Sequence, residues 1–281
     1  MTMSRVLVAA TLLLAATSAL VVARVSFAAG PSLPAVDGRA IGTSTGTVRY
    51  TTKRVGTTTR LDERLAGRTT RTLVLDGGYG IQLATLGGTL AGLAPNGRVL
   101  VLSDNVEPTG NLRDRSRFAV VDTRGMTLAQ EVDLNGDFSV DALSPDGGLL
   151  YLIHHVSRSD LTKYQVQAYD LRARKMLPGV VADKRQAGWV MAGYPVARAA
   201  TPDGGWVYTL YQQNGNYPFV HALDTVHHDA VCVGLPADWV KDARWLETAR
   251  LQLTGHSLEV RTKSGTTKFI LDTRTFRVST R

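Results

Sequence analysis

A short turn signature that recurs three times constrains this 281-residue chain more than any other feature. It reads Ala94-Pro95-Asn96-Gly97, then Ser144-Pro145-Asp146-Gly147, then Thr201-Pro202-Asp203-Gly204. Proline presets φ for the first central position of a turn, and Asn or Asp followed by Gly tolerates the positive φ that reverses the chain. Each copy is followed at once by an alternating apolar run, at 98–102, 149–153 and 206–210. Alternation with period two is the pattern of a strand. A second mark falls between the copies, an apolar run ending in Asp122, Asp170, Asp224 and Asp272, with spacings of 48, 54 and 48 residues. A carboxylate at a strand end accepts backbone N–H groups of the next turn, which assigns these four aspartates to structure.

Strand-rich units repeating about every 50 residues are the signature of propeller blades. No stretch has sustained helical periodicity, and 238–249, with Trp239, Val240, Trp245 and Leu246, offers at most a short helix. The segments Ser144-Pro-Asp-Gly-Gly-Leu-Leu-Tyr-Leu152 and Thr201-Pro-Asp-Gly-Gly-Trp-Val-Tyr-Thr209 resemble the YVTN/WD40-like repeats of bacterial exported β-propellers. The resemblance covers about residues 89–281 and implies a fold, not an activity. The Trp-Asp dipeptide of true WD40 blades is missing. Explicit units run over 89–134, 138–183, 194–236 and 243–281, and three strand-like runs precede them at Thr47–Val55, Thr58–Arg64 and Thr69–Asp76. The expectation is an all-β chain with about five four-stranded blades. Its ring is expected to close by mixing N- and C-terminal strands in one blade, since exposed sheet edges are a liability.

At the N-terminus Arg5 precedes an uncharged apolar run from Val6 to Ala23, and Ser26-Phe27-Ala28 offers small residues where a signal peptidase reads. Residues 1–28 therefore read as a secretory signal, with an uncleaved membrane anchor as the alternative. Residues 29–46 then form a linker and 47–281 the propeller, and the mature protein is secreted or extracytoplasmic. Cys232 is the only cysteine, so no intramolecular disulfide forms, and its strand-like run Ala230-Val-Cys-Val233 suits a small packing residue.

Without residues 1–28 the chain keeps 30 basic against 24 acidic side chains. Eight of the basic ones, Arg39, Arg49, Lys53, Arg54, Arg60, Arg64, Arg68 and Arg71, fall within 37–71 beside only Asp37, Asp62 and Glu63. A basic, Thr-rich surface suits anionic envelope polymers or lipid headgroups. The plainer reading is that Arg and Thr decorate the solvent face of strands. No nucleic-acid motif is present, and nucleic acid is not an expected partner.

In a propeller the first strand of each blade lines the central channel. Alignment on the turns puts Ala91, Asp141 and Arg198 at one position in consecutive blades, so Asp141 and Arg198 are channel neighbours of opposite charge. Such a pair either plugs the channel and sets register or receives a small charged ligand. Asp137, which leads into Asp141, adds a second carboxylate, and two carboxylates could serve a hard cation. Tyr194, which leads into Arg198, offers a stacking face for a sugar or carboxylate. His154 and His155 point to opposite faces of a strand and cannot simply share one ion. His227-His228-Asp229 reads as an outer turn. The sequence has no phosphate-binding glycine loop and no Cys-x-x-Cys pair.

Two functions fit. The first is a non-enzymatic exported binding protein, monomeric and without cofactor. It would recognise a protein or glycan of the envelope or extracellular space through the face whose loops lead into the channel, using Asp137, Asp141, Tyr194 and Arg198. The alternative is a metal-dependent propeller hydrolase or lyase acting on a small molecule or glycan, with Asp137 and Asp141 as oxygen ligands.

Overall fold

The computed structural model describes residues 32–43, 46–106, 110–185, 190–213, 217–236 and 243–280. The expected signal segment and the first five residues of the 238–249 helix candidate lie outside these residues. Five antiparallel sheets follow one another along the chain. The first is built from Ala40–Gly42, Val48–Val55, Thr58–Leu65 and Arg68–Asp76. The second runs from Tyr79–Leu83 through Val99–Asp104 and Arg115–Asp122 to Thr127–Asn135. The third contains Asp137–Leu143, Leu149–His155, Lys163–Asp170 and Lys175–Met176, with Met191–Ala192 pairing on Lys163–Tyr164. The fourth comprises Tyr194–Ala200, Trp206–Gln212, Phe219–Asp224 and Asp229–Gly234. The fifth is Arg250–Thr254, Ser257–Arg261, Thr267–Asp272 and Arg277–Thr280. Between the last two, Ala243–Thr248 forms a single 3₁₀ turn.

Both sequence marks have a hydrogen-bonded cause. In each copy of the turn the glycine N–H donates to the first residue: Gly97 to Ala94, Gly147 to Ser144 and Gly204 to Thr201, at 2.8, 2.9 and 2.8 Å. The positive φ falls on those glycines alone, at 71°, 73° and 71°. Asn96, Asp146 and Asp203 each accept the N–H two residues on, at 2.8, 3.0 and 3.0 Å. The strand-end aspartates do the same. Asp122 accepts from Arg124, Asp170 from Arg172 and Ala173, Asp224 from Val226 and His227, and Asp272 from Arg274 and Thr275. Four residues after each of them comes a non-glycine in the left-handed region: Met126, Arg174, His228 and Phe276.

The two marks recur together because they touch. The Thr123 hydroxyl donates to the Gly97 carbonyl, and that of Thr225 to Gly204, both at 2.6 Å. Thr273 makes the matching bond to His256 at 3.2 Å.

Apolar side chains join successive sheets. Ile41, Tyr50, Leu61 and Leu75 of the first meet Ile81, Leu100 and Leu102 of the second. Phe118 and Val132 of the second meet Phe138, Val140 and Leu152 of the third. Tyr151, Tyr164 and Val166 of the third meet Tyr211, Phe219 and Leu223 of the fourth. Leu210 and Val220 of the fourth meet Leu258, Val260, Phe269 and Leu271 of the fifth. Among the described residues no apolar cluster joins the fifth sheet to the first.

The expected closure by an exchange of terminal strands is not found among the described residues. The fifth sheet uses only residues 250–280, and the N-terminal strand Ala35–Val36 instead pairs with Gln82 and Ile81 on the second sheet. Two residues cannot announce themselves as a strand by periodicity, and their partner lies about 45 residues downstream, beyond the reach of a local pattern.

Candidate functional site

The inner strands of the second, third and fourth sheets converge on the axis. The 84–89 loop crosses to the fourth, where Leu86 and Gly87 donate to the carbonyls of Pro195 and Val196 at 2.9 and 3.0 Å. At the turn end of the channel lies a recess of about 200 Å³. Leu90 to Pro95, Asp141, Arg198, Thr201 and Pro202 contribute to its walls. The turns nearly touch here, since a Cβ on Gly204 would overlap the Pro95 ring.

Asp141 and Arg198 meet as the repeat alignment predicts. The guanidinium bonds the Asp141 carboxylate through Nη2 and its backbone carbonyl through Nη1 at 2.5 Å, and Nε donates to Thr209 Oγ1 at 3.0 Å. The side chains are 2% and 7% exposed, so both charges are out of water and satisfied within the protein. Asp137 is not part of this pair. It is 2% exposed and bound by Arg113, whose Nε and backbone N each donate at 3.0 Å, and by the Ser32 hydroxyl at 2.6 Å. Arg113 also holds Asp104 at 2.9 Å. Burial still pushes the Asp104 carboxyl above its usual range, against the pull of that guanidinium. A hard cation at Asp137 or Asp141 would have to displace an arginine. Tyr194 starts the inner strand of the fourth sheet, half-buried and opposite Gln212.

The histidine readings from sequence hold. His154 stacks on Phe138 with centroids 4.1 Å apart, while His155 faces the other side and bonds the Leu161 carbonyl at 3.2 Å. His227 lies in the outer turn against Asp224 at 2.8 Å, and His228 meets the Tyr151 hydroxyl at 2.5 Å. Among the described residues no three His, Cys, Asp or Glu side chains gather as they would to hold a metal ion.

The basic stretch has a definite place. Cross-strand pairs Arg49–Arg64, Thr51–Asp62 and Lys53–Arg60 put four cations and one carboxylate on the outward face of the first sheet, away from the second. Arg49, Lys53, Arg60 and Arg64 are all exposed, as are Thr69 and Thr72 beside them. Arg60 pairs with Asp62 at 2.8 Å, and Arg64 bonds the Gly67 carbonyl at 2.6 Å. Arg49 and Lys53 have no ion-pair partner among the described residues. A groove of about 270 Å³ opens between Arg49 and Arg64, floored by Ala40, Thr47, Ala66 and Gly67. On the inward face, by contrast, Arg71 is committed to Glu63 and the Thr123 carbonyl.

Arg113 and this groove could not be read from spacing. Arg113 lies in an irregular segment without a repeat partner, and the groove needs the register of a hairpin that carries no turn signature.

Five antiparallel sheets packed in succession, three of four strands and two that add short strands to four, make the chain a β-propeller. It matches no known sequence family, and no curated protein matches it either. Solved structures of similar shape include hydrazine synthase from Kuenenia stuttgartiensis, 13% identical over 86% of this chain and 77% of that one, with a TM-score of 0.42. Another is the β-propeller domain of Cps50 (Swd1) from Myceliophteria thermophila, 12% identical over 83% of this chain and 64% of that one, at 0.46. TolB from Acinetobacter baumannii is 11% identical over 83% of this chain and 53% of that one, at 0.43. The chain thus spans little more than half the length of TolB. None of these likenesses carries an activity over to it.

Proposed function

We propose that this propeller is a non-catalytic binding scaffold that works outside the cytoplasm and engages an anionic polymer or glycan of the cell envelope. The observation that carries the reading is the outward face of the first sheet, where Arg49, Lys53, Arg60 and Arg64 stand exposed against one carboxylate. Rows of cations two residues apart on neighbouring strands match a chain of repeated negative charges, and Arg49 and Arg64 line a recess of about 270 Å³ beside them. Threonine hydroxyls beside them supply donors and acceptors for a glycan. The N-terminal apolar run with its small-residue cut site supports the location.

The channel face remains a second contact surface. Its charges serve there as a rigid floor, because Arg198 and Asp141 satisfy each other. Co-sedimentation of the purified protein with dextran sulfate and with neutral dextran tests the reading. Retention on the sulfated polymer alone, weakening as salt rises, is the expected result, since exposed charges are screened within about 10 Å at 0.1 M salt. Equal behaviour on both polymers contradicts it.

A further inference from the structure

Two arginines face each other on the first sheet with no carboxylate to separate their charges. Arg49 and Arg64 are direct cross-strand partners, with Gly42 beside Arg49 and Thr69 beside Arg64 in one row across four strands. Like charges directly opposite each other destabilise a sheet. The other cation pair of this face, Lys53 and Arg60, is relieved by Asp62, which Arg60 bonds at 2.8 Å. Glu63, the chain neighbour of Arg64, is taken by Arg71 on the inward face. Among the described residues neither Arg49 nor Arg64 has an ion-pair partner.

Both side chains are nonetheless placed. Arg64 Nη2 donates to the Gly67 carbonyl at 2.6 Å, in a hairpin turn whose Ala66 and Gly67 are left-handed, at φ of 48° and 79°. Arg49 lies over Gly42, where a Cβ would come within 3.2 Å of the arginine Cγ. Its stem thus fills the space that a side chain at 42 would need. Both arginines line the recess of about 270 Å³, with Thr47 at its edge.

We infer, resting on the reading of this face as polyanion-binding, that the Arg49–Arg64 recess is a site for a phosphomonoester carried by an envelope glycan. Charge selects this group. A phosphomonoester carries about −1.5 to −2 at pH 7, which offsets two guanidiniums together. A carboxylate or a sulfate ester carries a single negative charge and leaves one cation of the pair uncompensated. Shape agrees. A guanidinium fork binds two oxygens at once, and the three terminal oxygens of a phosphomonoester present an edge to each of two forks. A carboxylate has one pair of oxygens for both forks to share. Arg64 keeps its other N–H groups for the ligand while Nη2 stays on Gly67.

The test is a calorimetric titration of the full chain with glucose 6-phosphate, glucose 6-sulfate and glucuronate at equal ionic strength. Glucose 6-phosphate should bind about tenfold more tightly than either of the others. Arg49→Lys with Arg64→Lys keeps the charge but removes both forks, and should cost about tenfold in affinity for glucose 6-phosphate. The same exchange at exposed Arg274 and Arg277 should change nothing. Melting curves confirm that each variant is folded. If the wild type binds dextran sulfate but binds the three sugars equally, or not at all, the inference falls and the wider reading stands. Wild-type affinity in the folded Arg49→Lys, Arg64→Lys variant, or an equal loss in the distant pair, also overturns it. A chain that binds neither dextran sulfate nor glucose 6-phosphate overturns both.

Discussion

Arg198 reaches across the boundary between the third and fourth sheets to bind both the carboxylate and the backbone carbonyl of Asp141. The bond to the carbonyl ties main chain as well as charge, so the pair fixes how two blades meet at the axis. Removing one partner of a buried pair leaves the other charge without compensation, which costs about 3–5 kcal/mol. Arg198→Ala should therefore lower stability in urea unfolding by that amount. Asp141→Leu combined with Arg198→Met should recover much of the loss, because it strands no charge.

How far this pair was legible follows from its locality. Three residues before each turn signature is a fixed address, and the address alone brings Ala91, Asp141 and Arg198 to equivalent places. The strand-end aspartates were equally readable, since their partners lie two and three residues on. Asp137 was not: its partner Arg113 comes from an irregular segment, and nothing local distinguishes a carboxylate held by arginine from one open to solvent.

Gly204 meets two demands at once, a φ of 71° and the close approach of Pro95. A side chain in the left-handed region costs about 1–2 kcal/mol, and overpacking adds about 1–3 kcal/mol. Gly204→Ala should lower the urea midpoint strongly. Gly255→Ala, with a φ of 56° but open space around it, should cost only the conformational part.

Arg174 tests the strand-end turn. It occupies the left-handed position four residues after Asp170, with an exposed side chain. Arg174→Val should destabilise by about 1 kcal/mol or more, because a β-branched residue fits that region poorly. Arg174→Asn should be close to neutral. Thermal melts of the two variants decide the matter.

Acid should destabilise the fold before its carboxylates titrate. Burial pulls the His155 imidazole down from 6.5 to about 4. The unfolded chain therefore binds a proton there that the folded chain refuses. Stability is whole above pH 6.5 and falls as pH drops toward 4, with a slope of up to about 1.4 kcal/mol per pH unit from this residue. Asp183, lowered to about 2 mainly by its bond to Arg185, adds its own loss only below 3.8. Unfolding free energies at pH 7, 6, 5 and 4 should show the decline, and His155→Phe should reduce its slope without removing it, since burial also lowers His221 to about 4.

The central claim, that the outward face of the first sheet binds a polyanion, is tested most directly by moving charge without moving fold. The triple variant Arg49→Glu, Lys53→Glu and Arg64→Glu reverses this face, while Arg172→Glu, Lys263→Glu and Arg274→Glu makes the same change of net charge on exposed positions elsewhere. Affinity for dextran sulfate should be measured for both across a salt series. The account predicts that the first variant loses at least tenfold in affinity and most of its salt dependence, while the second stays within about threefold of the wild type. Equal losses in the two variants would mean that net charge, and not this face, governs binding.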